Sequence, residues 1–168
     1  MKVYIDGMYS FTRVRNNNDL RQFGAGVTLE TLTAWGMNRD QVWIVSRPLK
    51  IITEDAGQRT SYLFGPPYLT DLASIPKRLR GAIDNDDIRL IAPALVHDYN
   101  FATHAMSFRS SNELFRKMIR AVGGSWLKAF ICWLSVSSPF GSAIYKNKNP
   151  DCAQYYKETC EVSRGFYA

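Results

Sequence analysis

Close cysteine pairs, long apolar runs and nucleotide-binding glycine loops are all missing from this chain, and each absence removes a class of protein. The three cysteines, Cys132, Cys152 and Cys160, cannot all pair internally, and none has the short spacing of a thiolate metal knuckle. Cys132 reads as a small buried hydrophobe, and Cys152 and Cys160, which could meet across the C-terminal segment, are expected to be reduced. The most apolar stretch, WLKAFICWLSVSSPF at 126–140, is shorter than a bilayer span and carries Lys128, so burial in the core is its expected fate. With two tryptophans and two phenylalanines there, a helix at a lipid or protein surface is the alternative. No secretory leader is expected from MKVYIDGMYS, whose apolar run is broken by Asp6. There is no Walker-type loop, dinucleotide fingerprint or G-x-S-x-G elbow.

What is present describes a core-forming chain. Nine Tyr, nine Phe and four Trp among 168 residues argue against disorder, because such a chain can bury enough apolar surface to offset the entropy of ordering. The length suits one hydrophobic core, so residues 1–168 are expected to form a single domain of soluble type. The formal charge is +6. Its basic residues come in small groups, at Arg13 and Arg15, at Lys77, Arg78 and Arg80, and at Arg116, Lys117 and Arg120. These read as solvated faces; contact with nucleic acid through Arg13, Arg15 and the Lys77–Arg80 cluster is the lesser alternative.

The first half carries strand and turn signals. Lys2 to Ile5 reads as an edge strand, QVWIVS at 41–46 as the clearest strand, and LKIIT at 49–53 and 61–64 as two more. Residues 27–35 fit either a strand or a short helix. The second half changes period: a helix is expected to start or kink near Pro93, another to start with Ser110 as N-cap and Glu113 in a capping box, and a third to follow Ser125. Beyond Pro139 no clear periodicity is visible. The expected fold is therefore α+β, a small N-terminal antiparallel sheet packed by about three C-terminal helices.

Two segments carry candidate chemistry. In PPYLTDLASIPKRL (66–79), Thr70-Asp71 lies between prolines that restrict the backbone, so Asp71 can be presented at a fixed position. Ser74 lies two residues before Pro76 in the same loop, and capping of a following helix is the plain role for Asp71 or Ser74. In LVHDYNF (95–101), His97 and Asp98 point about 100° apart on a helix and can line one cleft without bonding to each other. His97 is the candidate general base. Asp98 is a candidate orienting group and, with Asp71, a candidate oxygen ligand for calcium or another divalent cation, with no cofactor as the default. Phe101, one turn from His97, reads as core. His104 returns to the face of His97 if the helix persists, which would allow a zinc site with Asp71.

Thr70-Asp71-Leu72-Ala73-Ser74-Ile75-Pro76, then His97-Asp98-Tyr99, then Asn112-Glu113-Leu114-Phe115 resemble the bacteriophage and prophage domain-of-unknown-function family 1353. The resemblance spans roughly residues 40–135, with 140–168 as a C-terminal extension. Asn112 stands where that family usually has aspartate, and Phe101 where it often has tyrosine. The resemblance implies a phage or prophage protein located in the virion or the host cytoplasm. Its expected role is structural or in assembly, as a virion or tail-associated component, with other phage proteins or a second copy as partners. The His-Asp pair more loosely resembles phospholipases A2, in which a helical histidine activates water, the adjacent aspartate helps bind calcium, and a distant aspartate orients the histidine. That likeness implies a small hydrolase of lipid or cell-wall material with His97 as base, Asp98 beside it and Asp71 as orienting group. It requires a cleft over the pair.

Overall fold

The computed structural model describes residues 1–37, 41–71, 88–147 and 149–166. Its larger sheet has four antiparallel strands in the order β1 (Lys2–Asp6), β4 (Leu49–Asp55), β5 (Gln58–Phe64) and β7 (Cys160–Phe166). A smaller antiparallel sheet holds β2 (Phe11–Arg13), β3 (Trp43–Val45) and β6 (Leu69–Thr70) in sequence order. Strand β4 shows why these residues choose a sheet. Leu49, Ile51 and Thr53 alternate inward with a period of two, which matches the pleat. The β4–β5 hairpin closes through Ala56 and Gly57 with φ of 49° and 80°, the left-handed pair that suits the twist of a two-residue turn.

Two short helices, α1 (Asn17–Gln22) and α2 (Leu29–Ala34), lie in the N-terminal part. Five more follow: α3 (Ile88–Thr103), α4 (Phe108–Ala121), α5 (Trp126–Val136), α6 (Pro139–Lys146) and α7 (Pro150–Thr159). The main core gathers the inner face of β4 and β5, the β3 strand, and the buried sides of α3 and α7. Aromatic rings seam it together, Tyr62 of β5 meeting Tyr99 of α3 edge-on at 5.9 Å and Tyr68 meeting Tyr156 of α7 at 5.1 Å.

This architecture corrects the expected one. Seven helices form among the described residues, and the four-stranded sheet is not confined to the N-terminal half, because β7 supplies its second edge from the end of the chain. The segment after Pro139 escaped notice because its helices are short and start on local caps: Ser138 Oγ accepts from the Gly141 amide and Asn149 Oδ1 from the Asp151 amide. Strand β7 is mostly exposed and lacks apolar alternation, so backbone pairing to β5 over Gln58–Phe64 defines it. Residues 27–35 resolve to the helix α2. Helix α3 begins before Pro93 and runs through it. Helix α4 starts at Ser107, whose Oγ accepts from the Ser110 amide at 3.1 Å, three residues before the expected cap. Ser125 caps α5 as expected, accepting from the Lys128 amide.

Candidate active site

Helix α3 places its polar residues by its two flanks. Ala92, Leu95, Val96, Tyr99 and Ala102 enter the main core, which turns His97 toward α4 and Asp98 toward the end of β6. His97 is 8% exposed. Its ring lies between Phe101, one turn on, and Phe115 of α4, each with centroids 4.9 Å away. With both phenylalanine rings packed against it, the imidazole is buried, and the open cleft expected over the His-Asp pair does not lie above His97.

That edge is held from the next helix. His97 Nε2 is 2.9 Å from Oδ1 of Asn112, which is 1% exposed. The Asn112 amide donates through Nδ2 to the Val136 carbonyl at the end of α5, at 3.4 Å, which fixes Oδ1 as the acceptor. Nε2 of His97 is then a donor, and Nδ1 faces Asp98 Oδ1 at 4.0 Å, beyond direct hydrogen-bond range. The other carboxylate oxygen, Oδ2, accepts from the buried hydroxyl of Thr70 at 2.7 Å. Polar side chains thus follow one another from β6 through α3 and α4 to α5, in two hydrogen-bonded pairs that face each other across 4.0 Å at His97 and Asp98, with the Asp98 side chain the more accessible member at 17%.

Asp71 directly follows β6 and is half-buried. Its charge is felt at Tyr156, whose buried phenol is pushed well above the usual tyrosine range, first by burial and then by Asp98, Cys152, Asp71 and Tyr155. Asp71 and Asp98 thus both act on the Tyr156 phenol of α7. Tyr68, also fully buried and raised first by burial, lies near Asp98 and donates to the Leu95 carbonyl at 3.1 Å.

Several expectations are redistributed by this geometry. Asn112 bonds to the His97 ring edge, a partner the sequence did not single out beside Asp71. The signal was available in the NELF motif, but position 112 reads as helix N-terminus until Ser107 is known to be the cap. His104 does not return to the face of His97: α3 ends at Thr103, His104 takes φ of 53°, and its Nε2 donates to the Tyr145 carbonyl at 2.8 Å. The zinc arrangement is thereby undone. Among the described residues no three His, Cys, Asp or Glu side chains are grouped to hold a metal ion. Cys132, Cys152 and Cys160 are buried, and no disulfide joins them. Phe101 packs against His97, Phe108 and Tyr145. Ser74, Lys77, Arg78 and Arg80 lie outside the described residues, while Arg13 ends β2 and Arg15 precedes α1. No single helix among the described residues is long and apolar enough to cross a membrane.

One comparison places the chain. A family model described as protein of unknown function, DUF1353, matches residues 43–136, from β3 through the end of α5. No curated protein and no solved structure matches the chain.

Proposed function

We propose, from the premise that the chain belongs to the phage and prophage family DUF1353, that this member is a small hydrolase centred on His97 and Asp98. The observation that carries the reading is the orientation of the His97 ring, whose Nε2 is committed to Asn112 while Nδ1 faces the Asp98 carboxylate at 4.0 Å. A general base needs a defined tautomer and a defined approach for the proton it takes. Asn112 and Thr70 provide for both, one by holding the imidazole and the other by holding the carboxylate.

In this reading His97 Nδ1 takes a proton from a water as its oxygen attacks an ester carbonyl, and returns it to the leaving alkoxide. Asp98 stabilises the imidazolium that forms in between; Asp71 and Asp98 are the two carboxylates that would offer oxygens to a divalent cation, which would polarise the carbonyl, although no third acidic, His or Cys ligand joins them among the described residues. Substrate approaches along the Asp98 edge, where the cluster is most accessible, because Phe101 and Phe115 cover the ring faces. Asn112 is a positioning residue. It stands in the relation to His97 that the resemblance to phospholipases A2 gives to the distant aspartate, which makes phospholipid esters the first substrate class and cell-wall material the second.

The test compares the wild-type chain with His97→Gln and Asp98→Asn on ester phospholipid vesicles and on purified cell wall, with and without added calcium. Turnover that falls by about a hundredfold or more in His97→Gln, in a chain with unchanged circular dichroism, is the expected result. Wild-type protein inert on both substrates, or a His97→Gln chain as active as wild type, refutes the hydrolase. The polar chain would then serve only to lock α3 against its neighbours.

A further inference from the structure

Helix α5 is packed the wrong way round for a core helix. Its small residues, Ala129 and Cys132, face the protein, while Trp126, Leu127 and Leu134 are 62%, 58% and 56% exposed. Trp126, Phe130 and Leu134 recur at a spacing of four, so they form one stripe along the helix. Trp126 and Phe130 stack on each other at 5.4 Å, which holds the stripe in solvent as a continuous aromatic surface. Helix α6 repeats the pattern with Phe140 at 75% and Ile144 at 41%. Contiguous exposed apolar surface of this kind marks an interaction site.

The charge around it indicates what it meets. Between Leu114 and Pro150 the chain has six Lys and Arg and not one Asp or Glu. Of these, Arg116 and Lys117 lie on α4 and pair with Glu113 and Asp55, so the charge carried by α5 and α6 themselves is that of Lys128 and Lys146, with no acid on either helix. The two helices together also have the length and composition of a membrane segment, yet they are bent by 54° at their junction. That bend is unsuited to a straight crossing and suited to helices lying in the surface plane, with aromatic residues at headgroup depth and lysine stems reaching to the phosphates.

We propose that the α5–α6 face docks on an anionic lipid surface, in plane and without spanning it. The inference is independent of the hydrolase reading, since it concerns where the protein sits and not what it cleaves. Trp126, Phe130, Leu134 and Phe140 enter the boundary between headgroups and acyl chains, and the acid-free segment supplies attraction to the phosphates.

The experiment is co-sedimentation of the full chain with vesicles of ether-linked phosphatidylcholine, with and without phosphatidylglycerol, lipids that offer no ester to cleave. Binding at least about tenfold tighter to the anionic vesicles, weakening as salt rises, is expected. The double variant Trp126→Ser, Leu134→Ser, which alters only exposed positions, is expected to lose at least about tenfold in that binding with unchanged circular dichroism. Met8→Ser, at another exposed apolar position, is expected to bind as wild type. Failure to bind either vesicle overturns the inference. So does equal loss in Met8→Ser. A dimer in sedimentation equilibrium that the double variant dissociates, without vesicle binding, assigns the face to a second copy and overturns it as well. Vesicle binding by a chain that hydrolyses nothing leaves this inference standing and removes the proposed function; turnover on soluble esters without vesicle binding does the reverse.

Discussion

Replacing Asn112 with leucine tests the centre of the polar chain, because one side chain there meets two partners. Oδ1 accepts from His97 Nε2 at 2.9 Å and Nδ2 donates to the Val136 carbonyl at 3.4 Å. Leucine fills a similar volume, so no large cavity term enters. The imidazole donor is left buried without an acceptor, a cost of about 1–3 kcal/mol. The longer bond to Val136 is near the geometric limit and adds little. The apolar side chain recovers part of the loss, which leaves a net destabilisation of about 2 kcal/mol. For a chain of this length that corresponds to a fall in Tm of roughly 4–8 °C. Urea unfolding near neutral pH measures it directly. The hydrolase reading adds a second expectation: kcat falls while KM is little changed, because the ring loses its orientation and the substrate path does not. Asn112→Asp, which restores the residue more usual in the family, keeps an acceptor for Nε2 and is expected to retain turnover. A leucine variant within about 0.5 kcal/mol of wild type, with unaltered kcat, would show that the His97–Asn112 bond carries neither stability nor function.

Thr70→Val removes the hydroxyl that donates to Asp98 at 2.7 Å and keeps the shape, so a loss of about 1–2 kcal/mol in urea unfolding is expected; no loss would mean that Asp98 is held by other groups. Alkaline stability follows from the tyrosines: burial raises Tyr9 to about 12 and also raises Tyr62, Tyr68, Tyr99, Tyr155 and Tyr156, from an ordinary value of 10.0. The folded state holds these protons more tightly than the unfolded one, so their contribution is complete below pH 10 and declines as pH rises toward 12 and beyond. Ultraviolet titration should show the buried phenols ionising together with loss of circular dichroism, and independent ionisation in the intact fold near pH 10.0 would refute it. Truncation after Thr159 removes all seven β5 partners contributed by β7 and exposes that strand as an edge, so loss of cooperative unfolding or aggregation is expected; a truncated chain as stable as the full one would show the pairing to be dispensable.

Residue types on regular elements were the legible part of this chain. The alternation in β4 and the strand at 43–45 are local patterns, and local patterns survive without knowledge of the fold. What the pattern lacked was partnership. Strand β7 is defined by backbone bonds to a strand about a hundred residues earlier, and its own side chains are mostly exposed, so no period betrays it. The helices after Pro139 are capped by Ser138 and Asn149, residues equally at home in loops. The same limitation governs the site. His97 and Asp98 stood out as adjacent titratable groups, but the partner that fixes the imidazole is an asparagine, which has no ionisable group to attract notice. Its position was obscured by one displaced helix start: with Ser107 as the cap, Ser111, Asn112 and Phe115 fall on the buried side of α4, and Asn112 meets His97. In α5 the composition was read correctly as apolar and the direction was not, because burial of that stripe is the cheaper arrangement in water. A helix that keeps its smallest residues inward and its tryptophan, phenylalanine and leucine outward leaves an apolar stripe exposed, and that stripe is the surface the proposed lipid docking uses.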